Sequence, residues 1–179
     1  MYQPARIDEY EIISQCKKGS LKYQEMLYKH FYGYTMGIVL RYCLSKDDAA
    51  EVVNDGFIKV FNTMGGYDMN KPFKAWLRIV MVNTAIDRRR KELKYQLNID
   101  LDNAVPLSSN TYIIESLSAQ DILKLLGTLP PVHRTVFNLY EIDGFSHEEI
   151  GKMMDIPASS SRVYLTRAKE KLRKLLMTA

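Results

Sequence analysis

The chain has 179 residues, of which 46% are hydrophobic and 26% are charged, and its formal net charge at pH 7 is +4. These values are typical of a soluble globular protein with one domain or two small ones. No run approaches about 18 apolar residues, which argues against a membrane span, and acidic residues precede any apolar run at the N-terminus, which argues against a signal peptide. Cys16 and Cys43 fit neither a zinc site nor a disulfide framework, so we expect free thiols.

Charge is distributed unevenly along the chain. Residues 1–95 contain 16 Lys/Arg and 11 Asp/Glu. Residues 96–120 contain no Lys/Arg and three Asp/Glu, and residues 121–179 contain nine Lys/Arg and seven Asp/Glu. Two basic blocks therefore flank an acidic segment. Helical periodicity and a scarcity of alternating strands predict an all-α protein. We expect two small helical domains, 1–95 and 118–179, joined by a flexible linker over 96–117.

Two helices are predicted before residue 45. The first covers residues 7–18 and is closed by Gly19, since glycine is common just past a helix C-terminus. Ser20 caps the second, longer helix. Apolar residues and tyrosines recur along it at helical spacing, which predicts a buried stripe: Leu27, Phe31, Tyr34, Ile38 and Tyr42.

The third predicted helix begins at Ser45, where Asp47 and Asp48 favour the positive end of a helix dipole. Gly65-Gly66 ends it. Its predicted apolar face consists of Ala49, Val52, Val53, Gly56, Val60 and Met64. Three polar residues remain for its outer side: Glu51, Asn54 and Asp55.

The fourth predicted helix starts at Phe73 and changes character along its length. Its first part is apolar all round, which predicts burial, and consists of Trp76, Leu77, Ile79, Val80, Met81 and Val82. Asn83 and Asp87 follow one turn apart, and then come Arg88, Arg89, Arg90, Lys91 and Lys94. These cations are either a solvated helix end or, beside Tyr67 and Phe73, a surface where unpaired bases stack on aromatic rings.

The acidic linker over 96–117 has weak periodicity, one proline and no basic residue. It is either a solvated coil or a strand that imitates a nucleic-acid backbone in a positive channel. Ser118 then caps a helix that Gly127 ends, and a further helix is predicted over 132–141. That helix should turn three residues inward: Val136, Phe137 and Tyr140.

A helix-turn-helix is predicted after Asp143-Gly144. Ser146 and Glu149 match a capping box, in which each residue satisfies an amide of the other at a helix start. The short helix carries Ile150, Met153 and Met154 toward a core. A turn at Asp155-Ile156 follows, and Pro157 opens the last helix, where a missing amide costs little.

The last predicted helix has two different faces. Apolar and small residues recur along one face: Ser161, Leu165, Ala168, Leu172 and Leu175. Hydroxyls and cations recur along the other: Ser159, Arg162, Thr166, Lys169 and Arg173. Arginine bridges guanine acceptors, hydroxyls reach base edges and lysine neutralises phosphates, so this face predicts binding in a DNA major groove. The alternative is a merely solvated basic face.

No pattern of reacting residues is visible in the sequence. His30, His133 and His147 are scattered, and there is no Gly-x-x-x-x-Gly-Lys loop for phosphates. We therefore expect neither an enzyme, nor a metal or cofactor, nor a small-molecule substrate.

Taken together, the two blocks resemble the extracytoplasmic-function, or group IV, sigma factors of bacterial RNA polymerase. Residues 48–57, DAAEVVNDGF, resemble the part of sigma region 2 that docks on the β′ clamp helices. Residues 75–90, with AWLRI, Asn83 and DRRR, resemble the part that reads the melted −10 element. Leu129-Pro130 and the GFS entry at 144–146 resemble region 4, which reads the −35 element. In the last helix, SSR at residues 160–162 and AK at residues 168–169 resemble the same positions of the sigma factors found in Bacteroidetes.

The resemblance implies three sets of site residues. Clamp binding would use Asp48, Glu51, Asn54 and Asp55. Reading of the −10 element would use Tyr67, Trp76, Asn83, Asp87, Arg88, Arg89 and Arg90. Reading of the −35 element would use Ser159, Ser160, Arg162, Thr166, Arg167 and Lys169.

The function implied by the resemblance is recruitment of core RNA polymerase, through its β′ clamp and β flap, to specific promoters, with assistance in strand opening. The implied partners are core polymerase, promoter DNA and an anti-sigma factor at the inner membrane. The protein itself would be cytoplasmic. Two alternatives stay open: a stand-alone helix-turn-helix regulator, and an adaptor that binds polymerase or an anti-sigma factor without promoter activity.

Three positions depart from the family pattern. Gly151 replaces a small alanine where two helices cross, and we expect this to weaken the helix by about 1 kcal/mol. Asp155 stands where glycine normally takes a left-handed turn. Gly56 lies inside the clamp-binding helix.

Overall fold

The computed structural model describes residues 8–43, 45–97 and 119–177, and within these ranges the regular structure is helical only. The α-helices are α1 (Glu9–Lys17), α2 (Leu21–Val39), α3 (Lys46–Thr63), α4 (Phe73–Leu97), α5 (Ala119–Gly127), α6 (Pro131–Phe137), α7 (His147–Met154) and α8 (Ala158–Met177). A 3-10 turn, Met64–Gly66, follows α3, and a π-helical turn, Asn138–Ile142, follows α6. The all-α prediction is confirmed.

The chain divides into two units, one formed by Met1–Val39 with Ser45–Thr84 and the other by Leu40–Leu44 with Ala85–Ala179. The predicted linker begins inside the last turn of α4, and its remainder lies outside the described residues. The predicted boundaries at 95 and 118 therefore stay a prediction. Over the described ranges, no helix has both the length and the apolar character needed to cross a membrane.

In the first unit, α3 follows its sequence pattern closely. Ser45 caps it by accepting a hydrogen bond from the Asp48 amide at 3.0 Å. All six residues of the predicted apolar face are buried, and they are Ala49, Val52, Val53, Gly56, Val60 and Met64. Packing explains why position 56 is a glycine, because a Cβ there would lie 2.4 Å from the Met81 Sδ. The glycine therefore makes room for the α4 side chain.

Two predictions of burial in this unit are wrong. Tyr34 is 38% exposed, and Thr35 takes the buried position beside it. The Thr35 hydroxyl donates to the Phe31 carbonyl at 3.1 Å, so its burial leaves no unpaired donor. Ile79 is 50% exposed, while Leu77 and Met81 are fully buried. Apolar residues lie on every side of this part of α4, but not every side is buried. The core of the unit covers only one side of the helix.

The core of the second unit is built from α5, α6 and α8, with Leu126, Leu129 and Ala168 at its centre. The inward orientation predicted for Tyr140 is wrong, since this side chain is 38% exposed and Leu139 is fully buried. The π-helical turn explains the difference, because its wider turn changes the angular phase of the residues that follow α6. The turn is closed by the Asp143 amide, which donates to the Asn138 carbonyl at 2.9 Å.

Arg134 is a buried cation within the second unit, and it is only 2% exposed. Its Nε donates to the Arg41 carbonyl at 2.7 Å, and its Nη2 donates to the carbonyls of Leu40, at 2.9 Å, and Cys43. Burial lowers the pKa of Arg134 to about 10, which still leaves it charged at neutral pH. Three backbone acceptors therefore compensate for its desolvation.

Candidate nucleic-acid and partner interfaces

The helix-turn-helix forms as the sequence predicts. Ser146 Oγ accepts from the Glu149 amide at 3.2 Å, and the Glu149 carboxylate accepts from the Ser146 amide at 2.8 Å, which completes the capping box. Asp155 ends α7 in the left-handed conformation, with φ 59° and ψ 48°. The turn is closed by the Ile156 amide, which donates to the Gly151 carbonyl at 3.0 Å. The short turn fixes how α7 leads into α8.

Gly151 is needed where the turn crosses α7. A Cβ at this position would lie 2.8 Å from the Ile156 carbonyl oxygen and 3.4 Å from the Ala158 nitrogen. Both neighbours are backbone atoms, which cannot move aside as a flexible side chain can. The helix-propensity cost of glycine is thus outweighed by the space that the turn requires.

We expect Gly151→Ala to lower the free energy of unfolding by about 1–3 kcal/mol, because the added methyl group overpacks the turn. Urea unfolding followed by circular dichroism would measure the change. Gly37→Ala in α2 is the matched control, since a Cβ there meets nothing within 4 Å. That variant should be stabilised by up to about 1 kcal/mol. A similar gain for both variants would contradict the steric role of Gly151.

The last helix, α8, presents the two faces that its sequence predicts. Ser161, Leu165 and Ala168 are buried, and Leu172 and Leu175 are half-buried. The predicted DNA-reading side chains lie at the surface: Ser159, Arg162, Thr166, Arg167 and Lys169 are exposed, and Ser160 is half-buried. The helix is therefore anchored along one side and leaves the other accessible at the surface.

Two cations of this exposed face are held by carboxylates from other elements. Arg162 Nη2 lies 2.7 Å from Glu148 Oε1, which belongs to α7. Lys169 Nζ lies 2.6 Å from Glu141 Oε1, which belongs to the π-helical turn. Neither acid is predictable from the sequence, because separations of 14 and 28 residues carry no local spacing signal. Thr166 Oγ1 donates to the Arg162 carbonyl at 3.0 Å, so its oxygen remains able to accept.

The predicted −10 residues differ in their accessibility. Asn83 is exposed on α4, and the four charged residues that follow, Asp87, Arg88, Arg89 and Arg90, are half-buried. Arg90 Nη2 lies 3.1 Å from Asp87 Oδ1, with both side chains partly exposed. The helix therefore offers a polar amide and then a run of cations along its own length.

Tyr67 and Phe73, the two rings of the base-stacking alternative, are buried. They are 5% and 6% exposed, respectively. The Tyr67 ring centroid lies 4.9 Å from that of Trp76 and 5.4 Å from that of Phe73. The Tyr67 hydroxyl donates to the Lys71 carbonyl, and burial, followed by the charge of Asp68, raises the pKa of Tyr67. Only Trp76 is half-buried, so it alone of the three keeps an accessible part.

The predicted clamp-binding face lies on the outer side of α3. Glu51, Asn54 and Asp55 are exposed, and Asn54 Oδ1 accepts from the Tyr28 hydroxyl at 2.9 Å. Asp48 is half-buried, and its carboxylate accepts from Ser45 Oγ at 2.8 Å. Ile58, which is not among the predicted residues, is 58% exposed and lies one turn beyond this acidic set. An isoleucine outside the buried stripe of α3 was the available signal.

Within the described ranges, no group of three or more His, Cys, Asp or Glu side chains is arranged to hold a metal ion.

The two units correspond to two regions of a sigma-70-type factor. Residues 27–94 match the family described as Sigma-70 region 2, and residues 119–172 match the family described as Sigma-70, region 4. The chain is 30% identical over 141 residues to the ECF RNA polymerase sigma factor SigW of Bacillus subtilis (strain 168), covering 72% of this chain and 75% of SigW. The chain therefore belongs to the ECF sigma factors, as its motifs predict.

Further relatives match this chain over most of their length. The ECF RNA polymerase sigma-E factor of Haemophilus influenzae is 24% identical over 177 residues, which covers 92% of this chain and 93% of that protein. Among solved structures, the sigma factor RpoE in complex with the anti-sigma factor NepR from Bartonella quintana is similar with a TM-score of 0.53 and 21% identity, over 86% of this chain and 96% of RpoE.

The structure of CnrH in complex with the cytosolic domain of CnrY is similar with a TM-score of 0.50 and 20% identity, over 94% of this chain and 96% of the CnrH chain. At these identities the two solved structures support the fold. The likeness to Bacteroidetes versions stays a prediction.

Proposed function

We propose that this chain binds core RNA polymerase, directs it to specific promoters and assists strand opening at initiation. The observation that carries the proposal is the pairing of two accessible faces in one chain. The outer face of α3 lies within the region 2 match, and the cationic face of α8 lies within the region 4 match. Recruitment and strand opening require no covalent step from this chain.

The outer face of α3 suits docking on a protein partner. Glu51 and Asp55 supply exposed charge, and Ile58 adds an apolar side chain that can be buried on contact. Charged groups of this kind set the orientation and rate of association, and a central apolar group supplies binding energy. We assign this face to the β′ clamp. Contact between region 4 and the β flap rests on the family resemblance.

The exposed amide of Asn83 and the cations Arg88, Arg89 and Arg90 suit a melted DNA strand. The cations can follow the backbone, and an accessible aromatic edge can receive an unpaired base. In the described conformation Trp76 provides that edge, with Tyr67 packed behind it at 4.9 Å between ring centroids. We therefore assign Tyr67 a supporting role for Trp76.

The cationic face of α8 suits the duplex of a −35 element. Its arginines match guanine acceptors, its hydroxyls match base edges or phosphates, and its lysine matches the backbone. The first turn of α8 carries Ser159 and Ser160, so these side chains lie at the end that a recognition helix usually directs into the groove.

We also propose an anti-sigma factor as a partner. Two of the solved structures similar to this chain are complexes, one with NepR and one with the cytosolic domain of CnrY. A partner of this kind, placed at the inner membrane, would hold this cytoplasmic chain at the membrane and cover its polymerase-binding or DNA-binding faces.

The direct test is transcription by core RNA polymerase on a genomic DNA library, with and without the purified full chain. We expect transcripts with defined start sites only when the chain is present. A stand-alone regulator would bind duplex DNA without producing such transcripts. An adaptor would bind core polymerase and leave its start sites undefined, so either result would contradict the proposal.

A further inference from the structure

We propose that Glu148 and Glu141 are specificity-determining residues, which restrain Arg162 and Lys169 and thereby weaken binding to DNA of unrelated sequence. The inference rests on the proposed role of α8 as a reader of duplex DNA. The two acids act through the cations that they hold, so they are positioning residues.

Both carboxylates reach α8 from elements that the fold places beside it. Glu148 belongs to α7 and holds Arg162 at 2.7 Å, and Glu141 belongs to the π-helical turn and holds Lys169 at 2.6 Å. The π-helical turn contributes to the second pair, because the wider turn that exposes Tyr140 also sets the position of Glu141. The two pairs therefore depend on tertiary structure.

Glu148 is ionised at neutral pH. Its pKa is lowered first by a hydrogen bond from its own backbone amide and then by the charge of Arg162. It also lies in the first turn of α7, where the helix dipole favours a negative charge. Arg162 therefore faces a full negative charge in the free protein.

A paired cation contributes little to binding of unrelated DNA. Such binding comes from neutralised phosphates and the counterions that they release. A phosphate that approaches Arg162 or Lys169 also approaches the paired carboxylate, whose negative charge opposes the attraction. Both pairs are partly exposed, with side-chain exposures of 56% and 63% for Arg162 and Glu148 and of 45% and 33% for Lys169 and Glu141. Pairs of this kind are weak enough to exchange, so they bias binding without blocking it.

Base reading is compatible with the Arg162–Glu148 pair. The hydrogen bond uses Nη2 of Arg162, and a guanidinium has five N–H donors. Donors therefore remain for the two acceptors that guanine presents in the major groove. Because guanine is uncharged, the carboxylate opposes a base contact less than it opposes a backbone contact.

The test uses the full chain and three charge-removing variants, Glu148→Gln, Glu141→Gln and Glu170→Gln. Glu170 is the matched control, because it is an exposed acid of α8 with no ion pair to another described residue. Wild-type protein first selects duplexes from a random-sequence pool. Fluorescence anisotropy then gives the dissociation constants for the selected duplex and for one of unrelated sequence, over a series of salt concentrations. Circular dichroism melting confirms that each variant is folded.

We expect Glu148→Gln and Glu141→Gln to bind the unrelated duplex about two- to fivefold more tightly than wild type. The ratio between unrelated and selected dissociation constants should fall by a similar factor. The slope of log affinity against log salt should steepen by up to about 0.9 for each released cation. Glu170→Gln should keep the wild-type ratio and slope.

An equal effect in Glu170→Gln would attribute the change to net charge and overturn the inference. An unchanged ratio in both Glu148→Gln and Glu141→Gln would overturn it as well, while leaving α8 as a DNA reader. If wild type selects no sequence, the proposed DNA-reading function of α8 itself fails. The outcomes therefore separate the two claims.

Discussion

The Asp55→Arg variant is expected to lose binding to core RNA polymerase by at least about thirtyfold, because a reversed charge at the centre of an interface costs about 2 kcal/mol or more. Asp55 is exposed on α3 between Glu51 and Ile58, so its carboxylate can meet a cation of the partner directly. Biolayer interferometry with immobilised core polymerase and the full chain would measure the loss.

Glu25→Arg provides a matched control for this prediction. Glu25 lies on α2, its side chain is 65% exposed, and the substitution changes the net charge by the same amount. It should bind polymerase as wild type does. Asp55→Arg should also keep its affinity for duplex DNA, since α8 is unchanged. If Asp55→Arg binds polymerase as tightly as wild type does, the proposal that this face binds the clamp is contradicted.

The sequence could predict the parts of the fold that depend on local spacing. The buried face from Ala49 to Met64 and the capping box of Ser146 and Glu149 involve neighbours within one or two turns, and the structure confirms both. The left-handed Asp155 was predictable for the same reason, since the turn between two helices demands that conformation.

Other features depend on the tertiary environment and could not be read from spacing. Ile79 and Leu77 belong to the same apolar run, but only one side of α4 is covered by its unit. Tyr140 is exposed because of a π-helical turn, for which the sequence offers no clear signal. Arg134 is buried because three backbone carbonyls converge on it, although an arginine at the start of a helix is usually a surface residue.

In the candidate sites too, features set by local spacing were predictable and features set by tertiary contacts were not. The cationic face of α8 follows from helical spacing, so its exposed residues were predictable. The carboxylates that hold Arg162 and Lys169 come from distant positions and were not. The burial of Tyr67 was not predictable, because aromatic residues near cations are common both in cores and on nucleic-acid surfaces. Only packing against Phe73 and Trp76 distinguishes the two cases.

Arg162→Ala should weaken binding to the selected duplex by about 1–3 kcal/mol and relax the preference at one base position. The expected reason is the geometry of the guanidinium, which can bridge two acceptors of one guanine while Glu148 holds it at 2.7 Å. Anisotropy titrations against a set of duplexes with single base changes would locate the affected position.

Lys169→Ala should behave differently, because an ammonium group is a point charge without a planar fork. We expect it to weaken binding about equally for the selected duplex and its single-base variants and to reduce the salt slope on these duplexes by about 1. Affinity for a duplex of unrelated sequence should change little, because Glu141 restrains the ammonium group there. Lys174→Ala, on the same helix but outside the predicted DNA-reading set, controls for loss of charge alone and should change neither quantity appreciably. If Arg162→Ala instead weakens all duplexes equally, Arg162 contacts phosphate. In that case base reading on α8 must come from the remaining exposed residues of the same face, because only a group that touches a base edge can distinguish one sequence from another by direct contact.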